Sequence, residues 1–158
     1  MSGRKAAIAV CILVSLVALS STGWTLARWL ASYRTIRRLD IGLREVQRLP
    51  DEEATFVAHI IFVNAGPVDV CVEGLFATLR WHQKLVAFSV VHPKDLYVPA
   101  QQTVPFSLTY RSNLTPDSLP PGESSPQDQA WSIKAHVVVR PTTRQGVFRL
   151  NLERRPDQ

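Results

Sequence analysis

The side chains that could carry chemistry are few and widely spaced. The four histidines are His59, His82, His92 and His136, and none has a second histidine or a cysteine at metal-ligand spacing. The acidic run at 51–53 follows a turn signal, where a solvated loop is a simpler interpretation than a calcium site. The sequence contains neither a Gly-rich phosphate loop nor a strained nucleophile motif. We therefore expect no enzymatic activity, no metal site and no cofactor.

Cysteine and tryptophan positions indicate packing more than reactivity. The two cysteines, Cys11 and Cys71, are too few for a disulfide framework, and we expect both to act as small apolar residues. Trp81 and His82 end a strand pattern and form a candidate partner surface. Packing of Trp81 at the core or its rim is the competing interpretation.

The net charge of +5 is concentrated at one end of the chain. Residues 1–50 contain eight basic and two acidic side chains, whereas residues 51–158 contain ten basic and eleven acidic ones. Nucleic-acid readers usually spread basic residues over a folded face. Here the positive charge flanks an apolar segment, which favours a membrane surface as the partner and argues against nucleic acid.

An apolar segment near the N-terminus predicts a membrane anchor. Ala6 to Leu26 contains no charged residue, and as a helix it would extend about 31 Å, close to the thickness of a bilayer hydrocarbon core. We assign 1–27 to an N-terminal tail and transmembrane helix. A signal peptide cleaved after Ser20 is the alternative, because a basic start and small residues at 18–20 also fit that pattern.

Aromatic and basic residues follow the anchor and predict a membrane interface. Residues 28–40 are expected to form a basic juxtamembrane helix or collar facing anionic headgroups. The predicted interface residues are Trp24, Arg28, Trp29, Arg34, Arg37 and Arg38. Two arrangements stay open: an amphipathic helix lying along the lipid, or the membrane helix continuing into water with a solvated collar.

The side of the membrane is a further expectation. The arginines after the anchor outnumber the basic residues before it, and the positive-inside rule alone would leave the C-terminal domain in the cytoplasm. An N-terminal anchor before one large domain usually acts as a signal-anchor that exports the domain. We expect a single-pass protein of the cell membrane with an extracytoplasmic domain.

From Ile41 onward the hydrophobic period changes from helical to about two. Seven segments are predicted as strands: about 41–49, 55–64, 68–81, 84–91, 103–112, 131–140 and 146–152. Turn signals separate them, such as the Asn-Ala-Gly-Pro sequence at 64–67. This pattern predicts a mostly β domain over 41–153, a seven-stranded antiparallel Greek-key sandwich of immunoglobulin or fibronectin type. A Pro-rich connection at 113–130 is expected to be mobile, and 154–158 is a tail.

Three segments of the domain resemble the water-stress and hypersensitive-response domain, the late-embryogenesis-abundant group 2 β-sandwich. They are FVAHIIFVNAG at 56–66, VDVCVEGLFATLRWHQKLVA at 68–87 and LYVPAQQTVPFSLTY at 96–110. The positions that match the family pattern are Asn64, Leu75, Leu79, Val98 and Pro99, while the family's usual Asn-Pro turn is altered. The resemblance implies a non-enzymatic sandwich associated with stress protection, membrane partners or lipid handling.

Two functions follow as expectations. The first is a membrane-anchored module that binds or scaffolds partner proteins at the membrane surface, as an accessory subunit of a membrane complex does. The second is a stand-alone stress-protective or lipid-binding protein of the resembled type, which would need an apolar groove between its sheets. Other membrane proteins and the bilayer are the expected partners.

Overall fold

A computed structural model describes residues 2–49, 54–94, 96–112, 114, 123–124, 130–143 and 146–154. Helix α1 (Ser2–Arg37) is followed by nine strands: β1 (Leu39–Arg48), β2 (Thr55–Asn64), β3 (Val70–Trp81), β4 (Lys84–Val91), β5 (Leu96–Val98), β6 (Gln102–Ser112), β7 (Glu123–Ser124), β8 (Trp131–Pro141) and β9 (Phe148–Arg154). The predicted acidic turn at 51–53, most of the connection at 113–130 and the tail beyond Arg154 lie outside the described residues.

The helix is one uninterrupted element of 36 residues. Every side chain from Ile8 to Leu30 is exposed, although the most apolar stretch of the helix has a mean hydropathy of 1.9. A helix of this length and composition can cross a membrane, and a signal sequence has the same properties.

The helix continues through most of the predicted collar, and the first strand begins slightly earlier than predicted. Residues 28–37 belong to the same helix as the apolar segment, and β1 begins at Leu39, two residues before the predicted start. Leu39 and Ile41 both point into the core, with exposures of 4% and 0%, so the strand alternation already includes Leu39. The backbone carbonyl of Arg38 accepts a hydrogen bond from Ala65, which ties the chain to the sheet at this point.

The strands form two packed layers of one continuous antiparallel sheet. One layer has the order β7-β1-β2-β6, and the other has the order β4-β3-β8-β9 with β5 also paired to β3. The layers connect where β4 meets β6, through the pairs Ala87–Ser112 and Phe88–Arg111. The sheet thus curls over on itself, and the predicted sandwich-like β fold behind one helix is confirmed.

Alternating side chains from both layers fill the space between them. On β2 the residues Phe56, Ala58, Ile60 and Phe62 have exposures of 0–1%, while the residues between them are half-buried. The largest fully buried side chains are Tyr110, Phe56, Phe62, Ile41, Ile60, Leu75, Leu79, Leu108 and Ile133. The core is therefore contiguous across the two layers, as expected for sheets that pack face to face.

Two short strands were not predicted. Leu96–Val98 pairs with the first residues of β3, so β4 and β5 together form one neighbour of β3, interrupted at 92–95. Glu123–Ser124 pairs with Gln47 and Val46 at the free side of β1. Both segments are too short to show a period of two in the sequence.

Candidate membrane interface and partner surface

The end of helix α1 is joined to the sandwich by buried polar contacts, and we call this region the junction. Ser32 and Thr35 are fully buried, although every helix residue from Ile8 to Leu30 is exposed. The hydroxyls of Ser32 and Thr143 lie 2.8 Å apart. The backbone N–H of Val68 donates to the Thr35 hydroxyl at 3.1 Å. The helix is therefore bonded to two different turns of the domain.

A buried asparagine organises the turn that receives the helix. The Asn64 amide donates to the carbonyls of Val68 and Val98 at 2.9 and 3.1 Å, and its oxygen accepts from the N–H of Gly66 at 3.0 Å. Gly66 lies against the helix backbone, because a Cβ at this position would be 2.3 Å from the Cα of Thr35. Only glycine allows the turn and the helix to approach so closely.

Asp69 links three turns at the same end of the domain. Its carboxylate accepts hydrogen bonds from the Tyr97 hydroxyl and from the N–H of Ala100, the latter at 2.7 Å. Its backbone carbonyl accepts from the N–H of Thr142 at 3.0 Å. The hydrogen bond from Tyr97 lowers the pKa of Asp69 and raises the pKa of Tyr97. These bonds hold the helix-proximal end of the sandwich in one arrangement.

The structure brings together some of the predicted interface residues and separates others. The rings of Trp29 and Tyr33 stack at 5.5 Å, and the Arg37 guanidinium lies 5.7 Å from the Tyr33 ring centroid. Arg37 also donates to the Tyr33 hydroxyl at 3.3 Å. Arg34 and Arg38 are exposed, and at 100° per residue Arg34 lies on the helix face opposite Ser32 and the sandwich. Tyr33 was not among the predicted interface residues, although its spacing of four from both Trp29 and Arg37 places the three side chains on one helix face.

Trp24 and Arg28 face a cleft between the helix and the turn after β8. The cleft has a volume of about 180 Å³ and is lined by Trp24, Thr25, Arg28, Trp29 and Thr143. The two indole rings and one guanidinium give it both apolar and cationic walls. We call it the interfacial cleft.

Trp81 lies at the rim of the core. Its ring is half-buried and meets the ring of Trp131 edge-on at 4.9 Å. His82 is exposed and contacts the Trp81 ring at 4.8 Å. His82 and Gln83 have positive φ angles of 45° and 66°, typical of a tight two-residue hairpin turn. Turn geometry and core packing therefore account for the positions of Trp81 and His82.

A larger apolar surface lies on the outer face of β3 and β4. Phe76, Leu85, Phe88 and Val90 have exposures of 37%, 53%, 55% and 57%, and we call them the outer patch. The rings of Phe76 and Phe88 lie 6.2 Å apart, and His136 borders Phe76 at 5.8 Å. The β4 sequence KLVAFSVV has apolar residues on both faces of the strand, whereas only one face of this strand is buried in the core. The apolar residues on the second face are the sequence signal for the outer patch.

The remaining candidate residues do not converge. Within the described ranges, no group of three or more His, Cys, Asp and Glu residues could hold a metal ion. His59 is hydrogen-bonded to Ser107 at 2.9 Å, across a pair of strands. Cys11 is exposed and Cys71 is half-buried, and both are free thiols.

The residues that carried the family resemblance occupy structural positions. Asn64 ends β2 and bonds the turn beyond it, while Leu75, Leu79 and Val98 are buried in the core. Pro99 follows β5. These positions are consistent with any sandwich of this topology and identify no ligand site.

Comparisons with known proteins assign no function. No protein-family model matches the chain, and no curated protein matches it. An X-ray structure of a Northeast Structural Genomics Consortium target is similar over 75% of this chain and 83% of its own, with 9% identity and a TM-score of 0.43. A crystal structure of a protein from Archaeoglobus fulgidus is similar over 74% of this chain and 94% of its own, with 11% identity and a TM-score of 0.37.

Proposed function

We propose that this protein is a membrane-anchored, non-catalytic β-sandwich module that binds a partner protein beside the membrane, as an accessory subunit of a membrane complex does. The observation that carries the proposal is the outer patch. Four large apolar side chains share one face of the sandwich and are 37–57% exposed. Contiguous exposed apolar surface on a folded domain is typical of protein interaction sites.

The junction supports a scaffolding role. A flexible linker would let the sandwich rotate freely, but here buried hydrogen bonds connect the helix to the turns at Val68 and Thr143. An anchored helix with such a junction presents the outer patch in a fixed direction relative to the bilayer. A fixed direction favours binding to a neighbour that is itself embedded in the same membrane.

The single-pass anchor is part of the proposal. The apolar helix supports it through its length and its exposure from Ile8 to Leu30. A side chain such as Leu19, which is 70% exposed, is stable in lipid and costly in water. We retain the extracytoplasmic placement of the sandwich as the orientation to be tested by accessibility labelling.

The lipid-binding or stress-protective alternative, drawn from the family resemblance, needs room between the sheets. In the described part of the chain, that space is filled by buried side chains such as Phe62, Leu79 and Ile133. Lipid that co-purifies in stoichiometric amount without any partner protein would favour the alternative.

The test is gentle solubilisation of native membranes, followed by native sizing and mass spectrometry of the co-eluting proteins. We expect a stoichiometric complex for the wild type that is lost in Phe88→Asp. Thr103→Asp is the matched control, because Thr103 is exposed at the other end of β6, far from the Phe88–Arg111 pair, and the same charge is introduced there. A wild-type chain that elutes alone, at 17.7 kDa plus detergent, would refute the proposal.

A further inference from the structure

The interfacial cleft combines a cation, two aromatic rings and two hydroxyls on one side of the helix. Arg28 lies between Trp24 and Trp29 in sequence, and Thr143 closes the cleft from the turn after β8. Thr143 is held in place by Ser32, whose hydroxyl also donates to the backbone carbonyl of Arg28 at 3.0 Å. The cleft is thus built jointly by the helix and the sandwich.

The depth of the cleft along the helix coincides with the headgroup layer. If the hydrocarbon core begins at Ala6, about 30 Å of helix at 1.5 Å per residue ends near Leu26. The polar layer adds about 5–7 Å on each side, which corresponds to roughly the next four residues. Arg28 and Trp29 fall within that layer, and the buried residue Ser32 lies just beyond it.

We propose that the interfacial cleft binds the phosphate of an anionic phospholipid from the leaflet nearest the sandwich. The inference rests on the membrane anchoring in the proposed function. A guanidinium donates paired hydrogen bonds to phosphate oxygens. Because the Ser32 hydroxyl donates to the Arg28 carbonyl, the Thr143 hydroxyl donates to Ser32 and braces the wall of the cleft. The indole rings of Trp24 and Trp29 suit the glycerol and upper acyl region.

The surrounding charge favours an anionic over a zwitterionic lipid. Residues 1–50 carry eight basic and two acidic side chains, and Arg34, Arg37 and Arg38 follow the cleft within three helical turns. A choline headgroup carries its own cation into this positive region, whereas a glycerol headgroup does not. The phosphate is common to lipids and to free inorganic phosphate, and the depth of the cleft indicates the lipid.

The test uses the full chain in mild detergent, titrated with phosphatidylglycerol or phosphatidylcholine and read by native mass spectrometry. We expect one tightly held phosphatidylglycerol, and an affinity reduced by about tenfold in Arg28→Gln because a charged hydrogen-bond donor is lost. Arg34→Gln removes the same charge from the opposite helix face, and its effect should stay below about threefold. Thr143→Val should weaken binding by an intermediate factor, because it removes the hydrogen bond to Ser32 that holds this wall of the cleft in place.

Several results would overturn the inference. Equal losses in Arg28→Gln and Arg34→Gln would indicate diffuse attraction to the collar, and equal binding of phosphatidylcholine would remove the selectivity for anionic lipid. Displacement of the lipid by millimolar inorganic phosphate would make a soluble anion the ligand. A chain that stays in the membrane fraction and keeps its partner complex, yet binds no lipid in the cleft, would refute this inference alone. Release of the chain from membranes by carbonate would refute the anchor.

Discussion

Gly66→Ala tests the close approach of the β2–β3 turn to the helix. A Cβ at position 66 would lie 2.3 Å from the Cα of Thr35, 2.6 Å from its hydroxyl oxygen and 2.7 Å from its Cβ. The nearest atom belongs to the helix backbone, so a change of rotamer cannot relieve the contact. The turn and the helix must separate by more than 1 Å before this contact reaches the ordinary van der Waals distance of about 3.5–4.0 Å.

The cost follows from two effects of that separation. Overpacking of a close contact costs about 1–3 kcal/mol. The hydrogen bond from Val68 N–H to the Thr35 hydroxyl, now 3.1 Å, would also break and add about 1 kcal/mol. We expect the free energy of unfolding to fall by about 2–4 kcal/mol, which lowers the Tm by about 8–16 °C for a domain of roughly 100 residues.

The assay is thermal unfolding of the full chain in detergent, followed by near-UV circular dichroism. Limited trypsin digestion at Arg37 and Arg38 should also become faster, because the end of the helix is freed from the sandwich. Gly74→Ala is the matched control, since a Cβ there meets nothing closer than 3.6 Å and should change the Tm little.

A double variant separates the backbone contact from the side-chain contact. Thr35→Ala removes the hydroxyl but leaves the Cα in place, so it should not rescue Gly66→Ala. A Tm of Gly66→Ala within about 2 °C of the wild type would refute the close approach. Rescue by Thr35→Ala would show that the contact is made by the side chain alone.

Three further substitutions test other parts of the domain. Asn64→Ala removes three hydrogen bonds from a residue that is 1% exposed, and urea titration should show a loss of about 2–4 kcal/mol; a loss below about 1 kcal/mol would contradict this. Tyr110→Phe removes a buried hydroxyl that has no hydrogen-bond partner among the described residues, and whose pKa burial raises. The substitution should leave the free energy of unfolding unchanged or raise it by up to about 1 kcal/mol. If urea titration instead shows that the free energy of unfolding falls by about 1 kcal/mol, the hydroxyl has a hydrogen-bond partner and the expectation is wrong. Tyr97→Phe removes the hydrogen bond that lowers the pKa of Asp69. In the wild type this bond stabilises the fold at pH values above the ordinary carboxyl pKa of 3.8, and the stabilisation is lost as the pH falls through the lowered pKa of Asp69 in the folded state. The pKa of Tyr97 is raised above 10.0, so the hydrogen bond persists until the pH rises through that raised pKa. The Tm difference between wild type and variant should therefore be constant from about pH 5 to 9 and become smaller at lower and at higher pH. A Tm difference that grows below about pH 4 would contradict the lowered pKa of Asp69.

The layered β fold could be predicted because its signals are local. On β8, Trp131, Ile133, Ala135 and Val137 alternate with polar residues, and the structure buries all four. The apolar segment of the helix was equally plain, since no charge interrupts it from Ala6 to Leu26. In these elements the period alone decides which face is buried.

The junction could not be predicted, because it depends on contacts between distant parts of the chain. Thr35 is buried by a turn that begins 29 residues later with Asn64, and Ser32 by Thr143, which is 111 residues away. The neighbouring arginines at 34, 37 and 38 make this part of the helix strongly basic, which predicts contact with solvent or lipid headgroups and not burial against the sandwich. The outer patch was missed for a different reason: an apolar residue on either face of a strand looks the same in sequence until the buried face is known.

If α1 spans the membrane as proposed, the junction makes the sandwich behave as a lever arm. A transmembrane helix that is longer than the local bilayer is thick accommodates the difference by tilting, on average by about 20°. The twelve residues of β3 extend for about 40 Å, so a rigid rotation of 20° about the junction displaces a point at that distance by about 14 Å. Bilayer thinning or thickening under the helix would therefore be read out as movement of the hairpin at Trp81 and His82.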